Sequence, residues 1–308
     1  MKYIWAFLAA LSLAGLALFF WHYQTKPNPT PPKSEITPTT SSEKGDKQLT
    51  PTDDIVSEEY SISYDDKQLY GKITAPRDYK SKKLPTIVIT HGLNNTLEQY
   101  EMYSQLLAKQ GYLVYSFDFY GGSRQSKSGG QDMLNMSVKT ELTDLTQVME
   151  KLSPETFVDK SRMSLFGASQ GGVVASLYAA AYPDRVHKLM LIFPAFVLFD
   201  NAKETYHELG SPDFNQLPDS LTHHNTTLGK IYLIDALNID IQAEQAKITA
   251  PTLIIHGTDD AVVPYQYAVE ASQTIPNAKL VTVEGGEHRI DERFAITAAP
   301  AIQKFLKE

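Results

Sequence analysis

Apolar and polar positions along the chain fall into three regimes. Residues Tyr3 to Tyr23 form a run of 21 positions without Asp, Glu, Lys or Arg, which at ~1.5 Å per residue reaches across the ~30 Å hydrocarbon core of a bilayer. A cleaved leader has a shorter apolar stretch followed by a small-x-small site. The one such site near the end, Gly15-Leu16-Ala17, would leave Leu18-Phe19-Phe20-Trp21 as the new terminus, so residues 1–23 are expected to be an uncleaved anchor. Trp5, Trp21 and Tyr23 lie near its ends, as interfacial aromatic residues do. Residues 24–56 hold six Pro and ten Ser or Thr and no aromatic residue, too little apolar surface to order a chain, and are expected to form a disordered linker.

From residue 57 to 308 the period changes to strand and helix alternation. Ser61–Tyr64 and Gln68–Ala75 predict a short hairpin around Asp65-Asp66. Six buried apolar runs follow: Thr86–Thr90, Leu113–Phe117, Met163–Phe166, Leu189–Phe193, Thr252–His256 and Leu280–Val283. Between most of them lie helical patterns at Leu97–Lys109, Val138–Leu152, Gly171–Ala181, Tyr265–Ile275 and Asp291–Leu306. Continuous apolar strands alternating with helices predict an α/β domain with a largely parallel sheet covered on both faces. One gap breaks the rhythm: 57 residues separate Phe193 from Pro251, too many for an ordinary connection. A folded insertion over about 194–250, with Phe196, Phe199, Tyr206, Phe214 and Tyr232 as its apolar content, is expected to cap the sheet.

Composition narrows the chemistry. The formal charge is -8, and residues 1–56 contribute five Lys against five acidic residues, so the whole excess lies on residues 57–308. That balance disfavours a nucleic-acid partner. The absence of Cys removes thiolate metal sites, a cysteine nucleophile and disulfides together. His223-His224 lacks further ligands and reads as a solvated pair, so neither a metal nor a cofactor is expected. Lys2 on one side of the apolar run and Lys26 and Lys33 on the other nearly balance. The short head and the Pro/Thr-rich spacer then predict a protein of the cell membrane, tethered by one N-terminal pass with its folded domain outside the cytoplasm.

Gly167-Ala168-Ser169-Gln170-Gly171 matches G-x-S-x-G between a predicted strand and a predicted helix, the setting of a nucleophile elbow. A tight strand-to-helix turn tolerates only small neighbours, lifts the Ser hydroxyl above the sheet and aims the following amides at a developing oxyanion. A serine hydroxyl needs a base. Among eight histidines, His288 in Gly285-Gly286-Glu287-His288 stands between the last strand and the last helix. The orienting acid is expected after Thr252–His256, where Asp259 and Asp260 compete. A second oxyanion donor is expected from His91-Gly92-Leu93-Asn94-Asn95: the Leu93 amide, paired with that of Gln170. His91 itself is expected to pack beneath the site.

Residues 60–306 resemble the α/β-hydrolase superfamily, and within it the bacterial feruloyl or cinnamoyl esterase-like group, near the serine aminopeptidase-like hydrolases. The resemblance rests on His91-Gly92-Leu93, Asp118-Phe119-Tyr120-Gly121-Gly122-Ser123, Gly167 to Gly172, the Asp260 turn and Gly285 to His288. It implies Asp260 rather than Asp259 as the acid, from the spacing to Gly257 and to Val263-Pro264. It also implies the chain order Ser169, Asp260, His288 and an inserted cap between the sixth and seventh strands. The sequence departs from the group at Leu93, where an aromatic residue often stands, and at Tyr120-Gly121-Gly122, which replaces Arg-Gly-His. The expected activity is hydrolysis of a small or medium carboxylic ester through an acyl-enzyme. A peptidase or acyltransferase of the same fold is the alternative, and a binding protein that has lost the chemistry is a further one.

Overall fold

The computed structural model describes residues 54–308 apart from 131 and 224. In chain order the strands and helices are β1 (Ile55–Glu59), β2 (Ile62–Tyr64), β3 (Lys67–Leu69), β4 (Gly71–Pro76), β5 (Leu84–Thr90), α1 (Glu101–Lys109), β6 (Leu113–Phe117), α2 (Val138–Leu152), β7 (Val158–Ala168), α3 (Gln170–Ala181) and β8 (Leu189–Ile192). There follow α4 (Leu198–Glu208), β9 (Ser220–His223), β10 (Thr226–Gly229), α5 (Lys230–Leu237), α6 (Ile241–Gln245), β11 (Thr252–Gly257), α7 (Gln266–Thr274), β12 (Ala278–Val283) and α8 (Glu292–Lys307).

Eight strands form one sheet in the order β1-β4-β6-β5-β7-β8-β11-β12. β1 and β4 run antiparallel at one edge, and from β6 onward every pairing is parallel. The apolar runs are continuous because both faces are covered. Alternation along each strand divides them: Val88, Leu165 and Ile254 enter one core, and Ile87, Ile89, Phe166, Leu253 and Ile255 the other. The first face receives α2, α3 and α7 through residues such as Leu145, Val173 and Ala268, the second α1 and α8 through Tyr103, Leu107, Phe294 and Ile302. Each Val, Leu, Ile or Phe side chain so taken out of water contributes about 1.5–3 kcal/mol. Because the strands are parallel, the loops after β5, β7, β11 and β12 gather at one edge of the sheet.

Helix α2 has the bounds read from the sequence, and its start has a local cause. Ser137 caps it, accepting from the Lys139 and Thr140 amides, while Thr140 accepts from the Ser137 amide in return. Two features depart from expectation. The second arm of the predicted hairpin divides into β3, which pairs with β2, and β4, which joins the large sheet. Sheet-like alternation runs on through both, so only long-range pairing separates them. β1 also begins at Ile55, inside the stretch read as linker, and its pairing with β4 supplies the order that its composition lacks.

Between β8 and β11 the chain is folded, with α4, the antiparallel β9–β10 pair, α5 and α6. Phe196, Phe199 and Tyr232 are buried, and Phe214 is exposed with its ring 5.8 Å from that of Tyr206.

The membrane-anchored placement is corrected. Among the described residues no helix is long and apolar enough to cross a membrane. The longest, α8, has 16 residues, about 24 Å at ~1.5 Å each, with Lys304 and Lys307 in its last turn and an apolar face turned to the core. The run over residues 3–23 and most of the linker lie outside the described residues, so a membrane partner and an extracytoplasmic location are not retained.

Candidate active site

Ser169 stands between β7 and α3 with φ 52 and ψ -124, a left-handed backbone at a non-glycine residue. The turn is held by close packing: a Cβ on Gly171 would fall 2.3 Å from the Thr90 carbonyl oxygen, and one on Gly167 would fall 2.5 Å from that of Gly171. The small residues of the motif are therefore a requirement of contact. The Ser169 carbonyl accepts from the amides of Gly172, Val173 and Ala195, which fastens the elbow to the start of the insertion.

His288 Nε2 lies 3.0 Å from Ser169 Oγ, and its Nδ1 lies 2.7 Å from Asp260 Oδ2. The carboxylate can only accept, so Nδ1 carries the hydrogen and Nε2 presents its lone pair to the serine hydroxyl. The Asp260 side chain is buried, and its Oδ1 accepts from the Val262 and Val263 amides at 2.9 and 2.8 Å. Burial by itself would raise its pKa. Hydrogen bonds from His256, His288 and Val263, with the attraction of His288, outweigh it and hold the carboxyl below the usual range. Asp259 is exposed and accepts from Thr258 Oγ1 at 3.1 Å. The acid turn and the histidine loop meet where a Cβ on Gly257 would lie 2.1 Å from the Gly286 carbonyl oxygen.

Leu93 follows β5 in a loop that abuts the elbow, a Cβ on Gly92 falling 3.0 Å from that of Ser169. The Leu93 N–H and the Gln170 N–H, the first of α3, have no acceptor among the described residues. His91 Nδ1 donates to the Gly92 carbonyl at 2.8 Å and its Nε2 accepts from the Phe119 amide at 2.9 Å, so it braces this loop from below; burial lowers its pKa. The five residues predicted from sequence thus converge on one edge of the sheet. Among the described residues no cluster of His, Asp and Glu could hold a metal ion.

A family model described as "Serine aminopeptidase, S33" matches residues 81–210, and one described as "TAP-like protein" matches residues 238–308. The solved structure of Est1E from Butyrivibrio proteoclasticus superposes with a TM-score of 0.70 at 26% identity, covering 81% of this chain and 97% of that one. Est1E with ferulic acid bound gives 0.70 at 27% identity, covering 80% and 98%. An AB hydrolase superfamily protein, YisY, of Bacillus subtilis (strain 168) is 27% identical over 238 residues, 66% of this chain and 84% of the relative. The chain belongs to the α/β-hydrolase superfamily. Its likeness to esterases extends to the bifunctional esterase/perhydrolase DCH of Acinetobacter calcoaceticus, 23% identical over 289 residues, 80% of this chain and 99% of that one.

Two residues of this hydrolase site were not singled out by sequence. His256, read as the end of a strand, is fully buried; its Nε2 lies 2.9 Å from the Val263 carbonyl and 3.1 Å from Asp260 Oδ2. Both neighbours accept, so Nε2 carries a hydrogen and gives Asp260 another donor. A histidine following the apolar run Leu253-Ile254-Ile255 in a buried strand was the available signal. Phe193 has φ 35, which a bulky residue rarely adopts, and its ring centroid is 4.5 Å from that of His288. No local feature of the sequence marks it. The hydrolase also has a cavity of about 650 Å³ lined by Phe196, Asp200, Gln245 and Tyr267, with none of Ser169, His288 or Asp260 in its wall. A smaller one, about 40 Å³, lies inside the insertion among Leu198, Leu221, Leu228, Tyr232 and Leu233.

Proposed function

We propose that this hydrolase is a serine carboxylic-ester hydrolase in which Ser169, His288 and Asp260 act as a triad. The observation that carries this is the unbroken hydrogen-bond path from Ser169 Oγ through His288 to Asp260, at 3.0 and 2.7 Å. Ser169 Oγ attacks the ester carbonyl as His288 Nε2 takes its proton, and the same proton passes to the leaving alcohol. Asp260 keeps the imidazole in the required tautomer and opposes the charge it gains. The amides of Leu93 and Gln170 receive the oxyanion, and water, activated by His288, releases the acid. The insertion over 194–250 acts as a cap. Est1E, whose structure holds ferulic acid, makes methyl ferulate a natural first substrate beside short p-nitrophenyl esters.

Fluorophosphonate labelling followed by peptide mapping tests the assignment: modification is expected at Ser169, and Ser169→Ala is expected to keep its fold while losing label and turnover. Undiminished hydrolysis by Ser169→Ala would overturn it. The matched model described as a serine aminopeptidase favours a second reading, cleavage of an amide by the same residues. Turnover of aminoacyl anilides in preference to esters would select that one.

A further inference from the structure

The side chain that follows the elbow serine turns away from the sheet edge into a closed interior. Gln170 is 2% exposed; its Oε1 accepts from Tyr232 Oη at 2.7 Å and its Nε2 donates to Glu141 Oε2 at 2.8 Å. A carboxamide can meet a hydroxyl donor and a carboxyl acceptor together in one orientation only, so three side chains from α2, α3 and α5 fix one another. Helix α5 is held to α2 one turn further on, where Asp235 accepts from Ser137 Oγ at 2.5 Å and pairs with Lys139 at 3.2 Å. Glu141 is fully buried and pairs with no Lys or Arg among the described residues. Burial pushes its carboxyl well above the usual range, aided by the Asp144 charge and opposed by the Gln170 bond.

We propose that Glu141, the Gln170 side chain and Tyr232 form a buried positioning chain through which the insertion holds the Gln170 backbone amide at the oxyanion. This rests on the ester-hydrolase reading for the role of that amide. Gln170 is the first residue of α3 and follows a strained left-handed serine; its N–H shares a peptide plane with the Ser169 carbonyl, which the Gly172, Val173 and Ala195 amides hold from the other side. The side chain adds a second restraint at the Cα end of that plane, from α2 at Nε2 and from the insertion at Oε1. Loss of Tyr232 leaves Gln170 Oε1 unpaired, and loss of Glu141 leaves Nε2 only the weak thioether acceptor Met136 Sδ at 3.6 Å, so either loosens the residue. An ester substrate seated under α5 would then meet an oxyanion donor that the same helix has aligned.

The test uses Tyr232→Phe, Glu141→Leu and Glu141→Gln in the full chain, with steady-state kinetics on a p-nitrophenyl ester and hydrogen exchange of peptides spanning 166–174. Tyr232→Phe and Glu141→Leu are expected to lower kcat ~10-fold with KM changed less than ~2-fold, a fraction of the loss from deleting an oxyanion donor. Both are expected to speed exchange at the elbow. Glu141→Gln retains an acceptor for Gln170 and is expected to match the parent in both readouts. Parent-like kcat and elbow exchange in Tyr232→Phe, or equal damage from Glu141→Gln and Glu141→Leu, overturns the chain. Should the parent hydrolyse no ester and leave Ser169 unlabelled, the function reading fails, while elbow exchange still decides whether the chain restrains Gln170.

Discussion

At the scale of single residues, the site is organised around Asp260, whose two oxygens receive four donors: two backbone amides, His288 and His256. In the proposed triad, an acid so surrounded keeps its charge and its position, which the imidazole requires if its free nitrogen is to face the serine. His256→Leu removes one donor while keeping an apolar side chain of similar bulk. We expect kcat for ester hydrolysis to fall about 10-fold with KM little changed, read by steady-state kinetics. Its acid stability should change as well. A carboxyl whose folded pKa is depressed stabilises the fold above its unfolded pKa, and that contribution is lost as pH falls through the folded value. With one donor fewer the depression is smaller, so acid unfolding followed by circular dichroism should begin at a higher pH in His256→Leu. Ser169, His288 and the choice between Asp259 and Asp260 were legible in the sequence through motif, order and family spacing. The bond from His256 to Asp260 was not, since it forms within one acid turn whose conformation is set by the Gly257–Gly286 contact.

At the scale of elements, the strand-turn-helix unit β7–Ser169–α3 concentrates the constraint. Parallel β7 sits between β5 and β8, and the elbow is clamped by Thr90 at the end of β5: its hydroxyl donates to the Gly171 carbonyl at 2.9 Å, and its own carbonyl crowds the Gly171 Cα. A Cβ 2.3 Å from a backbone oxygen requires the turn or the strand to shift. Gly171→Ala is therefore expected to cost about 1–3 kcal/mol, seen as a lower urea midpoint, and to slow fluorophosphonate labelling of Ser169. Helix bounds were legible where local chemistry decides them, as at the Ser137 cap of α2. The division of β3 from β4 was not legible, because the two arms differ in partner rather than in pattern.

At the scale of the molecule, one sheet separates two apolar cores of unlike make-up. The face carrying α1 and α8 depends on few helices, and Phe294 joins them to the site: its ring packs 5.2 Å from that of Phe193, which in turn packs on His288. Phe294→Ala is expected to lower stability by about 3–5 kcal/mol in chemical denaturation, with activity at permissive temperature reduced through a loosened histidine loop. By itself the sequence determined the α/β class and the order and approximate bounds of the elements, and it named the residues proposed for acyl transfer. These follow from local periodicity, from turn sterics and from the few side chains capable of the chemistry. It also carried an apolar run that predicted a membrane anchor, a reading that the described helices, none long and apolar enough to cross a membrane, do not support. Only the tertiary structure decided that Ser169 and His288, 119 positions apart, lie 3.0 Å from each other, and that Glu141, Gln170 and Tyr232 meet. Such contacts depend on strand order, on the alternation that sends neighbouring residues to opposite cores, and on how the insertion docks, all of them long-range packing outcomes that no local pattern encodes.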